Sequence, residues 1–218
     1  MVGDDPYSGA VGRFYSFYIE RPRLGRVVGR ALWGSDFGPM YRSLDGLRHL
    51  RCGASVLDAA CGAGIVLRWL DPSRRPRYVG VDSSPAMLER ARQVANRRGF
   101  SDVQLHLAGV ESMPLGDACA DVCLLYNALH CFRDPEAALD SVLRCAKPGG
   151  LVLGSMLVRG AVARADRLME ADADRGGSTM GAGGTSDDLR RWLEARLVGT
   201  EITVGGALAV FRGQSPSD

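Results

Sequence analysis

A chain of 218 residues with 46% apolar and 24% charged residues can build one α/β core, and is short for two full domains. Its net charge of +2 gives the whole molecule no electrostatic case for a nucleic-acid partner. No run of about 18 or more apolar residues occurs, so no membrane span is expected; Met1 to Asp5 lacks the basic and apolar parts of a secretory leader. The six cysteines, Cys52, Cys61, Cys119, Cys123, Cys131 and Cys145, show no C-x-x-C pair and no metal-ligand spacing. Several sit in apolar segments, where a free thiol behaves as a small hydrophobe. Reduced thiols, a cytoplasmic location and no metal are expected.

Residues 1–50 hold most of the aromatic side chains, among them Tyr18, Trp33, Phe37 and Tyr41, interleaved with arginines. Pro22, Gly34 and Pro39 divide the segment into two or three short helices. An aromatic stripe reads first as a packing face. Its place ahead of the core also suits a helical cap over a ligand cleft, with Tyr18 and Trp33 as candidate substrate contacts.

The core is expected over 51–213. Ser55 to Asp58 reads as a buried strand, followed by a turn containing Gly62 and Gly64 and a helix over 63–70. A strand, tight turn and helix let backbone N–H groups approach a ligand closely. A second strand, 78–82, ends in Asp82, 24 residues after Asp58; an acid at about that distance is where a ribose diol is held. Ser84 and Pro85 cap a helix over 85–98, closed by Arg97-Arg98-Gly99. Further strands are expected at 103–107, 120–126 and 151–157, with a helix opening at Asp134-Pro135-Glu136. Asp121 reads as structural. Thr185 to Asp188 caps a last helix over 187–196, and 201–211 forms a terminal hairpin. Strands alternating with helices imply a doubly wound, mainly parallel sheet. Residues 158–188, with the glycine-rich run 176–184, are expected as a mobile insertion or lid, and 214–218 as a disordered tail.

Two nucleotide readings compete at the first turn. A dinucleotide site wants G-x-G-x-x-G, but Leu67 stands at the third position, and Asp58 would repel a pyrophosphate. A ligand with a positive end suits Asp58 better. Here Val56-Leu57-Asp58-Ala59-Ala60-Cys61-Gly62-Ala63-Gly64 resembles motif I of the class I S-adenosylmethionine-dependent methyltransferases, with Ala60 where the first glycine usually stands. Asp82, the strand-three exit Gly109 to Leu115 and the turn Lys147-Pro148-Gly149-Gly150 extend the resemblance.

The resemblance implies a single-domain Rossmann-like sheet of about seven strands, the last antiparallel, and S-adenosylmethionine as cofactor with S-adenosylhomocysteine as product. It assigns Asp58 to the ammonium side and Asp82 to the ribose hydroxyls, although Asp82 also reads as a helix-cap acid. Ala60, Gly62 and Gly64 form the turn, and Cys61 offers its amide to the methionine part. Ser83, Met87, Tyr126 and Asn127 complete the cofactor contacts. Gly109 falls where the family carries an acid against adenine; the Val110 amide can donate to the ring, and Glu111 is the candidate stand-in acceptor. His130, at a strand end, is the candidate base for an acceptor that must lose a proton, such as a phenol. The acceptor is expected to be a small hydrophobic or aromatic molecule carrying an O, N or C nucleophile, with Tyr18, Trp33, His130 and Met156 around it. The alternatives are a protein that binds the cofactor without turnover and a nicotinamide-dependent oxidoreductase.

Overall fold

A computed structural model describes residues 10–174 and 183–217. Its seven strands are β1 (Ser55–Ala59), β2 (Arg77–Asp82), β3 (Val103–Leu107), β4 (Ala120–Tyr126), β5 (Ala146–Leu157), β6 (Val198–Gly205) and β7 (Leu208–Gln214). They form one sheet in the order β3-β2-β1-β4-β5-β7-β6. The first five pair in parallel, and β7 runs antiparallel between β5 and β6. The winding reverses between β1 and β4. In open α/β sheets the crevice beyond the C-terminal ends of two such strands is where ligands bind.

The central strands are apolar on both faces because both faces are covered. Val56, Leu124 and Tyr126 pack toward α3 (Gly38–Gly46) and α4 (Pro85–Arg98). Leu57, Cys123 and Leu125 pack toward α5 (Pro135–Cys145) and, further along that face, α7 (Ser186–Glu194). The helix starts are those expected: Ser84 accepts from the Met87 amide, Asp134 from that of Ala137, and Thr185 and Asp188 form a reciprocal capping box.

The N-terminal segment forms α1 (Ala10–Ile19), α2 (Pro22–Val28), a π-helical turn over Gly29–Trp33, and α3. It is fused to the core as well as lying over it. Phe37, Met40 and Leu44 are buried, the Tyr41 hydroxyl donates to the Ile19 carbonyl at 2.9 Å, and the hydroxyls of Ser43 and Tyr126 lie 2.7 Å apart. Asp121, at the start of β4, accepts from the Ser55 amide and from Lys147 Nζ, each at 2.8 Å, and pairs with Arg51. Partial burial pushes this carboxyl up, but the bonds from Lys147, Ser55 and Arg51 outweigh it and hold it below the ordinary range.

Three expectations are corrected. The helix over 63–70 does not form; the chain makes turns and one 3₁₀ turn at Val66–Arg68. Asp71, extended ahead of Pro72, ends the segment before an α-helix can propagate. Strand five begins earlier than expected, at Ala146, so the Lys147 to Gly150 turn belongs to it. The tail is ordered through residue 217: Ser215 is buried, its amide donates to the Gly150 carbonyl at 2.9 Å, and its hydroxyl donates to the Lys147 carbonyl at 2.5 Å. A short hydroxyl side chain here satisfies backbone groups that the turn leaves open. Of the expected insertion, α6 (Ala163–Asp174) is described, and residues 175–182 lie outside the described residues. No described helix is long and apolar enough to cross a membrane.

Candidate active site

A cavity of about 620 Å³ opens at the C-terminal ends of β1, β2 and β4, roofed by α1, the π-helical turn and α6. That volume lies within the roughly 300–1,000 Å³ of small-molecule sites. The turn after β1 forms its floor, with Ala60, Gly62 and Gly64 all at positive φ (58°, 52° and 76°). The Cys61 amide donates to the Val81 carbonyl at 2.9 Å, and the Gly62 amide to Asp82 Oδ2 at 2.8 Å, which laces the turn to the end of β2. The two glycines have different reasons to be glycine. A Cβ on Gly62 would meet no atom within 4 Å, because the space ahead of it is open. A Cβ on Gly64 would come 3.1 Å from Ala91 Cα on α4, so that glycine permits close turn-to-helix packing.

Ala60 holds a left-handed conformation that costs an L-residue roughly 1 kcal/mol or more relative to glycine. Ala60→Gly is therefore expected to stabilise the protein, raising its thermal midpoint by about 2–4 °C in a melting scan. An unchanged or lower midpoint would show that the turn is not strained.

Asp82 stands at the cavity wall with Ser83 and Met87. Its Oδ1 accepts from the Ser84 amide at 2.9 Å while Oδ2 holds Gly62, so it serves as helix-cap acid and wall residue at once. On the next loop, Gly109, Val110 and Glu111 line the same cavity. The Val110 amide has no partner among the described residues. A Cβ on Gly109 would lie 3.4 Å from Glu111 Oε2, so the Glu111 carboxylate occupies the space beside the position where an acid was expected. Beyond β4, Tyr126 and Asn127 are on the wall, with Asn127 at φ 52°, a conformation that asparagine tolerates.

His130 is on the wall too and is buried. The Leu157 amide donates to its Nδ1 at 3.3 Å, so the neutral ring carries its proton on Nε2. Burial depresses its pKa to about 4. Near neutral pH the ring is therefore a hydrogen-bond donor at Nε2.

Residues 57–154 match the family described as “Methyltransferase domain”. A malonyl-[acyl-carrier protein] O-methyltransferase of Serratia marcescens is 33% identical over 176 residues, 80% of this chain and 62% of that protein. An arsenite methyltransferase of Halobacterium salinarum is 25% identical over 74% of this chain and 41% of its own length. Among solved structures, the YcgJ protein of Bacillus subtilis superposes with a TM-score of 0.67 at 17% identity, covering 82% of this chain and all of that one. Over residues 57–154 the chain carries this methyltransferase domain. It spans less than two thirds of the length of the two curated relatives named.

The cavity's charges fit the cofactor of this methyltransferase family. Among the described residues the wall carries three carboxylates, Glu20, Asp82 and Glu111, against one guanidinium, Arg133. A ligand with a sulfonium and an ammonium suits that balance, and a pyrophosphate would be repelled.

Three expected contacts are not on the wall, and two reasons are plain from strand geometry. Asp58 shares a sheet face with Val56 and Tyr78, and accepts from the buried Tyr78 hydroxyl at 2.6 Å. Burial raises its pKa to about 7, against the pull of the Tyr78 bond and with help from the charge of Asp82. Met156 points to the α5 and α7 face, while Leu157, one residue on, faces the cavity, as strand alternation requires. Gly64 packs beneath α4. The Cys61 side of the turn is on the wall, but its amide is already bonded to Val81.

Much of the remaining wall is apolar and aromatic, including Tyr18, Trp33, Phe132, Leu157 and Leu168. Tyr18 and Trp33 bring α1 and the π-helical turn to the same cavity wall. Glu20, Arg133 and the α6 residues Leu168 and Ala171 were not anticipated from sequence. Arg133 lies three residues past His130 and could have been found by extending the post-strand segment. Glu20 and α6 carry no local signal, because only tertiary packing brings them to the crevice.

Proposed function

We propose that the protein binds S-adenosylmethionine and transfers its methyl group to a small, apolar or aromatic acceptor. The observation that carries this reading is a cavity at the sheet's switch point whose described wall combines three carboxylates with apolar and aromatic side chains. When bound, the cofactor supplies a methyl group already activated on sulfur. Asp82 would hold the ribose hydroxyls, the Val110 amide and Glu111 the adenine edge, and the open face of Gly62 would admit the chain between them. The apolar and aromatic part of the wall would exclude water and align the acceptor, which is most of what such a displacement needs.

His130 suits the role of orienting an acceptor oxygen through its Nε2 proton better than that of a base. Its Nδ1 lone pair is engaged by Leu157, and its depressed pKa makes it a weak proton acceptor. Arg133, on the same wall, favours an acceptor with an anionic or carbonyl oxygen. The Serratia relative, named for O-methylation of malonyl-acyl carrier protein, is in keeping with an oxygen acceptor.

The test is calorimetric titration of the purified protein with S-adenosylhomocysteine, with NADH as control. Binding in the micromolar range by the first and none by the second is expected. NADH binding without S-adenosylhomocysteine binding would overturn the reading.

A further inference from the structure

We propose that Glu20, on the N-terminal segment, receives the ammonium group of the cofactor's amino-acid end, with Arg68 positioning it; this rests on the reading of the cavity as a cofactor site. The sequence points to Asp58 for that contact, but Asp58 is off the wall, bonded to Tyr78 and buried. Among the described residues three carboxylates are on the wall. Asp82 and Glu111 stand at the ends of β2 and β3, and each oxygen of Asp82 already holds a backbone amide. Glu20 stands on the other flank of the glycine turn, where its Oε2 accepts from Arg68 at 2.7 Å.

Arg68 lies four residues past Gly64, so this ion pair fixes the Glu20 carboxylate against the segment that leaves the turn. Glu20 Oε1 has no hydrogen bond among the described residues, and the side chain keeps 17% of its surface exposed at the wall. An oriented carboxylate with one oxygen tied and one oxygen open to a cavity is a receptor for a cation with N–H donors. Arg68 Nε is buried and has no partner among the described residues, so the pair is held without being saturated. The N-terminal segment would then recognise the amino-acid end directly, in addition to covering the cleft.

The experiment is a paired titration. S-adenosylhomocysteine and 5′-methylthioadenosine share the adenosine thioether, but only the first has the amino-acid end. Glu20→Gln keeps the size of the side chain and an oxygen for Arg68, and removes the charge. It should weaken S-adenosylhomocysteine roughly 10–100-fold, and leave 5′-methylthioadenosine within about 2-fold of wild type. Arg68→Gln is the second variant, expected to show the same selectivity with a smaller loss. Equal weakening of both ligands would mean that the segment is merely misplaced, and unchanged binding of both would mean no contact; either overturns the proposal. Failure of wild type to bind S-adenosylhomocysteine would instead overturn the cofactor reading beneath it.

Discussion

Asp58→Asn should make the protein more stable by about 4 kcal/mol at pH 8 and leave it unchanged at pH 4. A carboxyl whose pKa is 3.8 unfolded and about 7 folded binds its proton more tightly in the native state. Its burial therefore costs nothing below the unfolded value and progressively more as pH rises toward 7. Asparagine resembles the protonated acid and can still accept from Tyr78, so the variant removes only that cost. For a chain of this size the gain corresponds to roughly 10 °C in melting temperature. His130 acts with the opposite sign. Its pKa falls from 6.5 to about 4 on burial, so stability is lost as pH drops through that window, by about 3 kcal/mol. The two slopes offset each other in the wild type. They separate in the variants: Asp58→Asn steepens the acid loss, and His130→Asn, whose Oδ1 can take the Leu157 amide, flattens it. Urea unfolding from pH 4 to 8 reads both slopes. An Asp58→Asn difference that does not change with pH would show that Asp58 does not titrate in this window.

The fold was legible because its signals are local. Ser84-Pro85, Asp134-Pro135 and Thr185 to Asp188 fix helix starts through side-chain bonds to amides three residues away, and each is formed as expected. Much of the cavity wall was legible for a related reason, since Ala60 to Gly62, Asp82 to Met87 and Gly109 to Glu111 are short segments leaving consecutive strand ends. What the sequence hid is which face a side chain takes and what a distant segment brings. Met156 and Leu157 exchange roles by a one-residue step along β5. Asp58 is drawn off the wall by the hydroxyl of Tyr78, which pairs with Val56 in the neighbouring strand. Glu20 reaches the cavity only because α1 and α2 fold over the glycine turn, anchored by Tyr41, Ser43 and Arg68. The short segment after Gly64 misled in the other direction: its apolar spacing suits a helix, but Asp71-Pro72 leaves it no length to propagate.

Asp82→Ala should lower the affinity for S-adenosylhomocysteine by at least about 100-fold. Its carboxylate fixes the Gly62 amide on one oxygen and the Ser84 amide on the other, and it lies on the cavity wall. If Asp82 holds the ribose as proposed, removal takes away two charge-assisted contacts, each worth roughly 1.5–3 kcal/mol, and also frees the turn that the ligand must approach. Asp82→Asn offers no full rescue, because one of its two positions presents N–H groups to an amide donor. The pattern across ligands separates this acid from Glu20. In the proposed arrangement Asp82 acts on the adenosine that both ligands share, so its loss should weaken S-adenosylhomocysteine and 5′-methylthioadenosine alike, whereas Glu20→Gln should weaken only the first. Retention of both affinities within about 3-fold in Asp82→Ala would remove Asp82 from the ribose and leave it a helix-cap acid alone. Loss of both with an intact melting temperature would put the adenosine at the end of β2, with the amino-acid end directed across the glycine turn toward α1 and α2.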